Sequence, residues 1–285
     1  MRPCLLALLA WVAVAASPAE QVLYPRHQAK QDPQQAYALS MLRLTLDKSG
    51  HRYELRQAQQ AMVQSRAILE IKNHTGKLDI LWTMTTPERE AALLPIRIPI
   101  DRGLIGWRVA LVSSARAGLL GGADSAAGLA RFTAGQMFDW PDTAILRGNG
   151  LPVKTTSIYE GLFQQLALNR IDYFPRSIIE VQNELAAHRS LGLSIEPKLI
   201  IKYPAAFYFF VGKNRPALAA DIATGLEKAI ADGSFAALFQ RHFKAAIDSL
   251  DLPARKVLEM KNDALPSATP LGRKELWFAP GATPP

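Results

Sequence analysis

Behind an apolar leader, the chain alternates between strand and helix periods, and this alternation restricts the fold more than any other feature. Gln21 to Tyr24 form a short apolar stretch stopped by Pro25-Arg26-His27. Asp32-Pro33-Gln34-Gln35 supplies an N-cap, a proline at the first helical position and a capping-box glutamine. Leu39, Leu42 and Leu46 then recur at helical spacing until Gly50 stops the helix. Tyr53 to Arg56 read as a strand, and residues 57–73 as a second helix with Ala58, Met62 and Leu69 on one side. Leu78, Ile80 and Trp82 alternate as a half-buried strand does. A β-α-β-α-β order of this kind predicts an open, largely parallel sheet with helices on its faces.

The pattern is interrupted twice by long extended segments. Residues 95–112 carry two prolines and two glycines, and residues 199–211 run from Leu199 to Val211 with a proline at 204. Between them lies a second α/β unit. Residues 115–130 are rich in small side chains and read as a loop or weak helix, and Arg131 to Gln136 are strand-like. Asp139-Trp140-Pro141 opens a helix. Ser157-Ile158-Tyr159-Glu160 and Ser177-Ile178-Ile179-Glu180 are capping boxes on either side of the strand at Ile171 to Phe174. After the second segment, Pro216 starts a helix that Asp232-Gly233 breaks, and Phe235, Leu238 and Phe239 belong to a further one. The expected architecture is therefore α/β with two lobes, each a mixed sheet flanked by helices, joined by two extended hinge crossings. The first lobe is discontinuous, with residues 20–107 and 207–261. The second lobe takes residues 108–206. Residues 262–285 form a tail packing on the first lobe, with Glu275 to Phe278 as an edge strand.

Residues 1–19 read as a signal peptide: Arg2 precedes an unbroken apolar run from Leu5 to Ala16, too short to span a membrane, followed by small residues. Cys4 is the sole cysteine and lies inside this leader, so cleavage leaves a chain without disulfides, thiol chemistry or cysteine-bound metal. Export without disulfides fits a bacterial periplasm. The net charge of +8 is spread along the chain, and no dense Lys/Arg cluster with interleaved aromatics points to nucleic acid. The five histidines lack metal-ligand spacing, and no nucleophile elbow, phosphate loop or dinucleotide fingerprint occurs. No cofactor, no metal and a monomer are expected.

The richest chemistry lies at the end of the strand through Trp82, where Thr85-Thr86-Pro87-Glu88-Arg89 follows. Thr86 caps a helix that Pro87 begins, which puts Arg89 in the first turn, where the helix dipole disfavours a cation. A guanidinium there is best explained by an anion that comes to meet it. The segment reads as half of a site for an acidic small molecule.

Thr85-Thr86-Pro87-Glu88-Arg89 resembles the Thr-Pro-Glu-Arg element of the family 3 extracellular solute-binding proteins, the periplasmic receptors that feed amino-acid ABC transporters. Asn169-Arg170-Ile171-Asp172-Tyr173 resembles that family's Gly-Arg-x-Asp-Ala strand, and Asp232-Gly233-Ser234-Phe235 its Asp-Gly-Thr-Tyr. All three occur in the family's order. The resemblance implies the type II periplasmic-binding fold, no enzymatic activity, and capture of a small carboxylate-bearing ligand by hinge closure. It implies that Arg89 grips the ligand's carboxylate with Thr86 and Thr85 beside it. Trp82, Trp140, Asp142, Thr143, Tyr24 and Arg26 are further candidates at strand ends. The family's usual second-lobe Asp is missing, and Arg176 or Ser177 stands there. If Arg176 faces the cleft, an anionic ligand is favoured over a zwitterionic one, while Asp142 offers an ammonium partner from the other side. The expected partner is an ABC permease, with an orphan sensor reporting to a membrane receptor as the alternative. A cell-wall lyase ranks below both, because no residues are left over for a catalytic domain.

Overall fold

The computed structural model describes residues 19–26 and 33–280. Residues 1–18 of the expected leader, Asp32 of the first cap and the last five residues lie outside that range. The chain begins with β1 (Glu20–Arg26), α1 (Pro33–Ser49), β2 (Tyr53–Ala61), α2 (Gln64–Lys72), β3 (Ile80–Met84), α3 (Pro87–Ala92) and β4 (Leu94–Ile96). It continues with β5 (Trp107–Ser113), α4 (Ala126–Leu129), β6 (Ala134–Met137), α5 (Pro141–Gly148), β7 (Val153–Thr156), α6 (Tyr159–Ala167), β8 (Phe174–Ser177), α7 (Val181–Ala187), β9 (Leu193–Ile195) and β10 (Leu199–Lys202). It closes with β11 (Phe207–Val211), α8 (Pro216–Ala231), α9 (Ser234–Asp248) and β12 (Lys256–Glu259).

Strand pairing sorts these elements into two lobes. In the first, β1 runs parallel to β2, and β11 lies antiparallel between β3 and β4. The amide of Asp79 donates to Leu23 O at 2.9 Å, and the Leu23 amide to Asp79 Oδ2 at 2.8 Å, joining β1 to the start of β3. In the second lobe, β5 pairs with β8 on one edge and with β10 and β9 on the other, all antiparallel. The parallel pair β6–β7 abuts this sheet through a bridge between Ala134 and Tyr173. Helices flank both sheets, and the apolar core runs through both lobes from Val22 to Leu276. Burial of this continuous apolar surface is the main favourable term in holding the lobes folded.

Several elements depart from the sequence expectation. Residues 57–61 extend β2 instead of starting a helix, because pairing with β1 as far as Arg26–Ala61 outweighs the helix propensity of that Gln/Ala run. The helix begins at Gln64 and buries Ala67, Glu70 and Ile71, which leaves Leu69 48% exposed. The expected box at Ser157 does not form. Ile158 is the N-cap of α6, and its amide donates to Thr156 Oγ1 at 3.1 Å. At the other box, Ser177 N–H donates to Glu180 Oε2 at 3.2 Å, in a turn that precedes α7.

The C-terminal assignments change most. β12 pairs parallel with β10, so residues 256–259 join the second lobe's sheet and not the first lobe, as the 207–261 boundary had it. The tail then returns across the hinge. Lys261 exchanges backbone hydrogen bonds with the Asn149 side chain at 2.8 and 3.1 Å, whereas Arg273 pairs with Glu227 of α8 at 2.5 Å. Residues 274–276 form a 3₁₀ turn, not an edge strand. Trp277 lies on Gly103, where a Cβ would meet its ring at 2.5 Å, and the Phe278 amide donates to Arg102 O at 2.8 Å. Gly103, with φ 76°, is a glycine for both space and backbone conformation.

One carboxylate in the first crossing ties stability to pH. Asp101 is 1% exposed and accepts amide hydrogen bonds from Gly103 at 3.0 Å and Ile105 at 2.7 Å. Burial outweighs those donors and pushes its pKa up to about 7. The folded state therefore holds a proton that the unfolded chain releases near pH ~3.9, so this group's contribution falls as pH rises through that window. The stability difference between the wild type and Asp101→Asn should shrink from pH 4 to 7, by up to about 1.4 kcal/mol per unit in the middle of that range. Urea midpoints across that range test it, and a pH-independent difference would refute it.

Candidate functional site

The turn after β3 forms as its residues dictate. Thr86 is extended, with φ −145° and ψ 161°, its hydroxyl accepts the Arg89 amide at 3.3 Å, and Pro87 opens the short α3. Thr85 donates its hydroxyl to Glu90 Oε1 at 2.8 Å, and Glu90 in turn pairs with Arg97. Both threonine side chains thus build the turn.

The Arg89 guanidinium is 7% exposed and folds back under the turn. Nη1 donates to Thr83 Oγ1 and to Met84 O, the latter at 2.9 Å. Nη2 donates to Gln64 Oε1 at 3.1 Å and, across to the second lobe, to Asp139 O at 2.9 Å. All four acceptors are neutral oxygens, and among the described residues no carboxylate oxygen pairs with this buried cation. Burial pulls its pKa down to about 10, opposed by the charges of Asp139, Asp142 and Glu88, so it stays protonated at neutral pH.

The second lobe answers with a buried polar network. Arg108 of β5 is 2% exposed. Its guanidinium lies 2.5 Å from Asp142 and 3.4 Å from Glu180, and its Nε donates to the Tyr203 hydroxyl at 3.1 Å. The Tyr203 hydroxyl donates to Asp142. Arg176 continues the chain, meeting Glu180 at 3.1 Å and Glu184 at 2.6 Å, with the Tyr159 hydroxyl donating to the same Glu184 oxygen at 2.5 Å. The Arg176 guanidinium also sits 4.7 Å from the Trp140 ring centroid and 4.9 Å from that of Phe174. Burial alone would lower the pKa of both arginines, but the surrounding carboxylates outweigh it and hold both above the ordinary value. Among the described residues, two guanidinium groups thus face three carboxylates.

This corrects the charge argument drawn from Arg176. The side chain does lie near Trp140 in the second lobe, but Glu180 and Glu184 neutralise it, so it offers an incoming anion no free positive charge. Asp142 is likewise committed to Arg108 and Tyr203, and Thr143 donates to Met137 O at 2.8 Å, closing the turn between β6 and α5. Trp82 is buried in the first lobe against Tyr24 and Phe209, with ring centroids 6.1 and 6.2 Å away, so it packs the core instead of lining an open face. Tyr24 is buried with it, and Arg26 is exposed at the end of β1. The structure brings Arg89 to the Asp139–Trp140 turn that leads into α5, whose first turn carries Asp142 and Thr143, and places Arg26 at the exposed end of β1.

Five residues that sequence reasoning passed over belong to this region: Gln64, Arg108, Asp139, Glu184 and Tyr203. Arg108 carried the clearest trace, as one cation in the apolar run from Leu104 to Val112. Among the described residues no group of three His, Asp or Glu is arranged to hold a metal, and no helix is long and apolar enough to cross a membrane.

No family model matches this chain, and no curated protein does. Solved structures do. An ancestral arginine-binding protein bound to arginine aligns over 79% of this chain and 98% of its own, with a TM-score of 0.60 at 15% identity. The arginine-, lysine-, histidine-binding protein ArtJ from Geobacillus stearothermophilus aligns over 79% of this chain and 96% of its own, with a TM-score of 0.58 at 14% identity. An arginine-specific periplasmic binding protein of Salmonella typhimurium gives a TM-score of 0.57 at 16% identity, over 79% of this chain and all of its own. This chain has the two-lobed α/β fold of the periplasmic amino-acid-binding proteins.

Proposed function

We propose that this protein is an exported solute-binding receptor that captures a small, amino-acid-like ligand between its lobes and presents the closed form to a membrane partner. The observation that carries this reading is the buried Arg89 guanidinium, held among the described residues by neutral oxygens alone at the lobe interface. Buried charges are normally paired, and a ligand carboxylate is the natural partner for a planar guanidinium. Among the described residues the second lobe's network holds three carboxylates against two guanidinium groups, which favours a ligand with a cationic group at its other end. An amino acid therefore suits the pair of faces better than a dicarboxylate. The solved relatives, whose ligands include arginine, support the same class. A permease is the partner we favour, with a membrane sensor as the alternative. A permease copurifying from solubilised membranes would separate the two.

A thermal-shift screen tests the reading. A ligand at about a hundred times its Kd adds ~2.7 kcal/mol, a rise of roughly 5–10 °C for a chain of this size. We expect that rise for one or more amino acids, a smaller one for dicarboxylates, and none for Arg89→Ala or Arg89→Gln. A ligand shift that survives both substitutions would remove Arg89 from the site. A screen in which dicarboxylates win would overturn the zwitterion assignment.

A further inference from the structure

Asp139 holds the position that the expected ligand would need. It lies in the loop between β6 and α5 of the second lobe, and both its polar ends reach into the first. Its main-chain carbonyl accepts from Arg89 Nη2 at 2.9 Å, and its carboxylate Oδ2 accepts the Ser65 amide at 2.9 Å. Ser65 is in the first turn of the nine-residue α2, whose N-cap, Val63, makes no side-chain cap. The amide is therefore an orphan helix donor, and the helix dipole favours an anion at that end. Asp139 thus presents two oxygens to a guanidinium and a backbone amide of the opposite lobe, the donor set that would bind a free carboxylate. Its other oxygen, Oδ1, is buried without a hydrogen-bond partner among the described residues, a cost that a purely structural contact would be expected to avoid.

The terminal nitrogens of Arg89 leave little room for a carboxylate. Nη1 serves Thr83 and Met84, and Nη2 serves Gln64 and Asp139. A bidentate approach to Nη1 and Nη2 has to displace an existing acceptor, and the Asp139 carbonyl is the one supplied by the other lobe. We propose that Asp139 is an internal surrogate for the ligand's carboxylate: its side chain latches the lobes together through the Ser65 amide when no ligand is bound, which seats its main-chain carbonyl on Arg89 in the ligand's place. This rests on the receptor reading above. It makes Asp139 the residue that sets the affinity threshold, because each binding event must first break the latch.

The latch is read without any ligand. In the full chain with Cys4→Ser, spin labels on Leu69→Cys of α2 and Leu168→Cys after α6 sit at exposed positions of opposite lobes. Distance distributions are compared for otherwise wild-type protein, Asp139→Ala and the near-isosteric Asp139→Asn. We expect one short distance in the first, an added longer population in Asp139→Ala, and a smaller one in Asp139→Asn, whose amide oxygen can still accept from Ser65. Unchanged distributions would overturn the latch. Binding is then measured with L-arginine and L-glutamine as probes. Losing the competitor should tighten binding by about ten-fold or more in Asp139→Ala, whereas equal or weaker binding would overturn the surrogate role and make Asp139 a scaffold or ligand contact. If neither probe binds any of the three proteins, the receptor reading fails for these ligands, and the distance distributions still decide the latch.

Discussion

Replacing Arg108 with Met should destabilise the protein by about 3–5 kcal/mol, the cost of removing one partner from a buried ion-pair network. Met keeps much of the side-chain volume, so the loss is electrostatic more than a matter of packing. It strands Asp142 at the start of α5, takes a partner from Glu180, and leaves the Tyr203 hydroxyl without its guanidinium donor. These groups are buried, so water cannot substitute for the lost charge without local opening. The exposed Lys244–Asp248 pair on α9 is the contrast: Lys244→Met should change stability by less than about 0.5 kcal/mol. Urea midpoints for the two variants provide the comparison. In a double-mutant cycle, adding Asp142→Asn to Arg108→Met should recover part of the loss, because the two groups couple by about 0.5–3 kcal/mol. A cost below ~1 kcal/mol for Arg108→Met would mean the network contributes specificity without stability.

Much of this molecule is written in local patterns. The Thr86 cap, Pro87 at the helix start and Arg89 in the first turn stand as the sequence implies, because capping chemistry acts within one turn of the chain. The two crossings were likewise visible, since proline and glycine interrupt strand periodicity wherever it occurs. What escaped depends on long-range pairing. Residues 57–61 carry helix formers, yet β1 captures them as a strand. β12 has no local mark that would send it to the second lobe's sheet. The site shows the same division. Arg89 could be found from its own neighbours, but the neutralisation of Arg176 by Glu180 and Glu184 could not be weighed without knowing that all three are buried together. Glu180 is only four residues from Arg176 and was readable as a possible partner. Glu184 lies two turns on and reaches it only because the chain bends between β8 and α7.

Gly106→Ala should cost about 3 kcal/mol, at the upper end for overpacking, because the obstacle is backbone and not a movable side chain. Gly106 lies in the first crossing just before β5, and a Cβ on it would lie 2.1 Å from Tyr203 O and 3.1 Å from the Ala205 Cβ, both in the second crossing. The Tyr203 amide donates to Gly106 O at 3.1 Å, so the two crossings touch here main chain to main chain. Gly106 is not in the left-handed region, and its identity is a matter of room alone. A methyl group must push the crossings apart, and the displaced residue is Tyr203, whose hydroxyl ties Arg108 to Asp142. The substitution therefore acts at two levels: it removes hinge packing and loosens the network that fixes the second lobe's inner face. Gly118, with open space around its Cβ position and no positive φ, is the matched control. Gly118→Ala should be neutral or stabilising by up to about 1 kcal/mol through the unfolded state. Equal urea midpoints for the two variants would sink the claim that hinge contact at Gly106 holds the lobes in register.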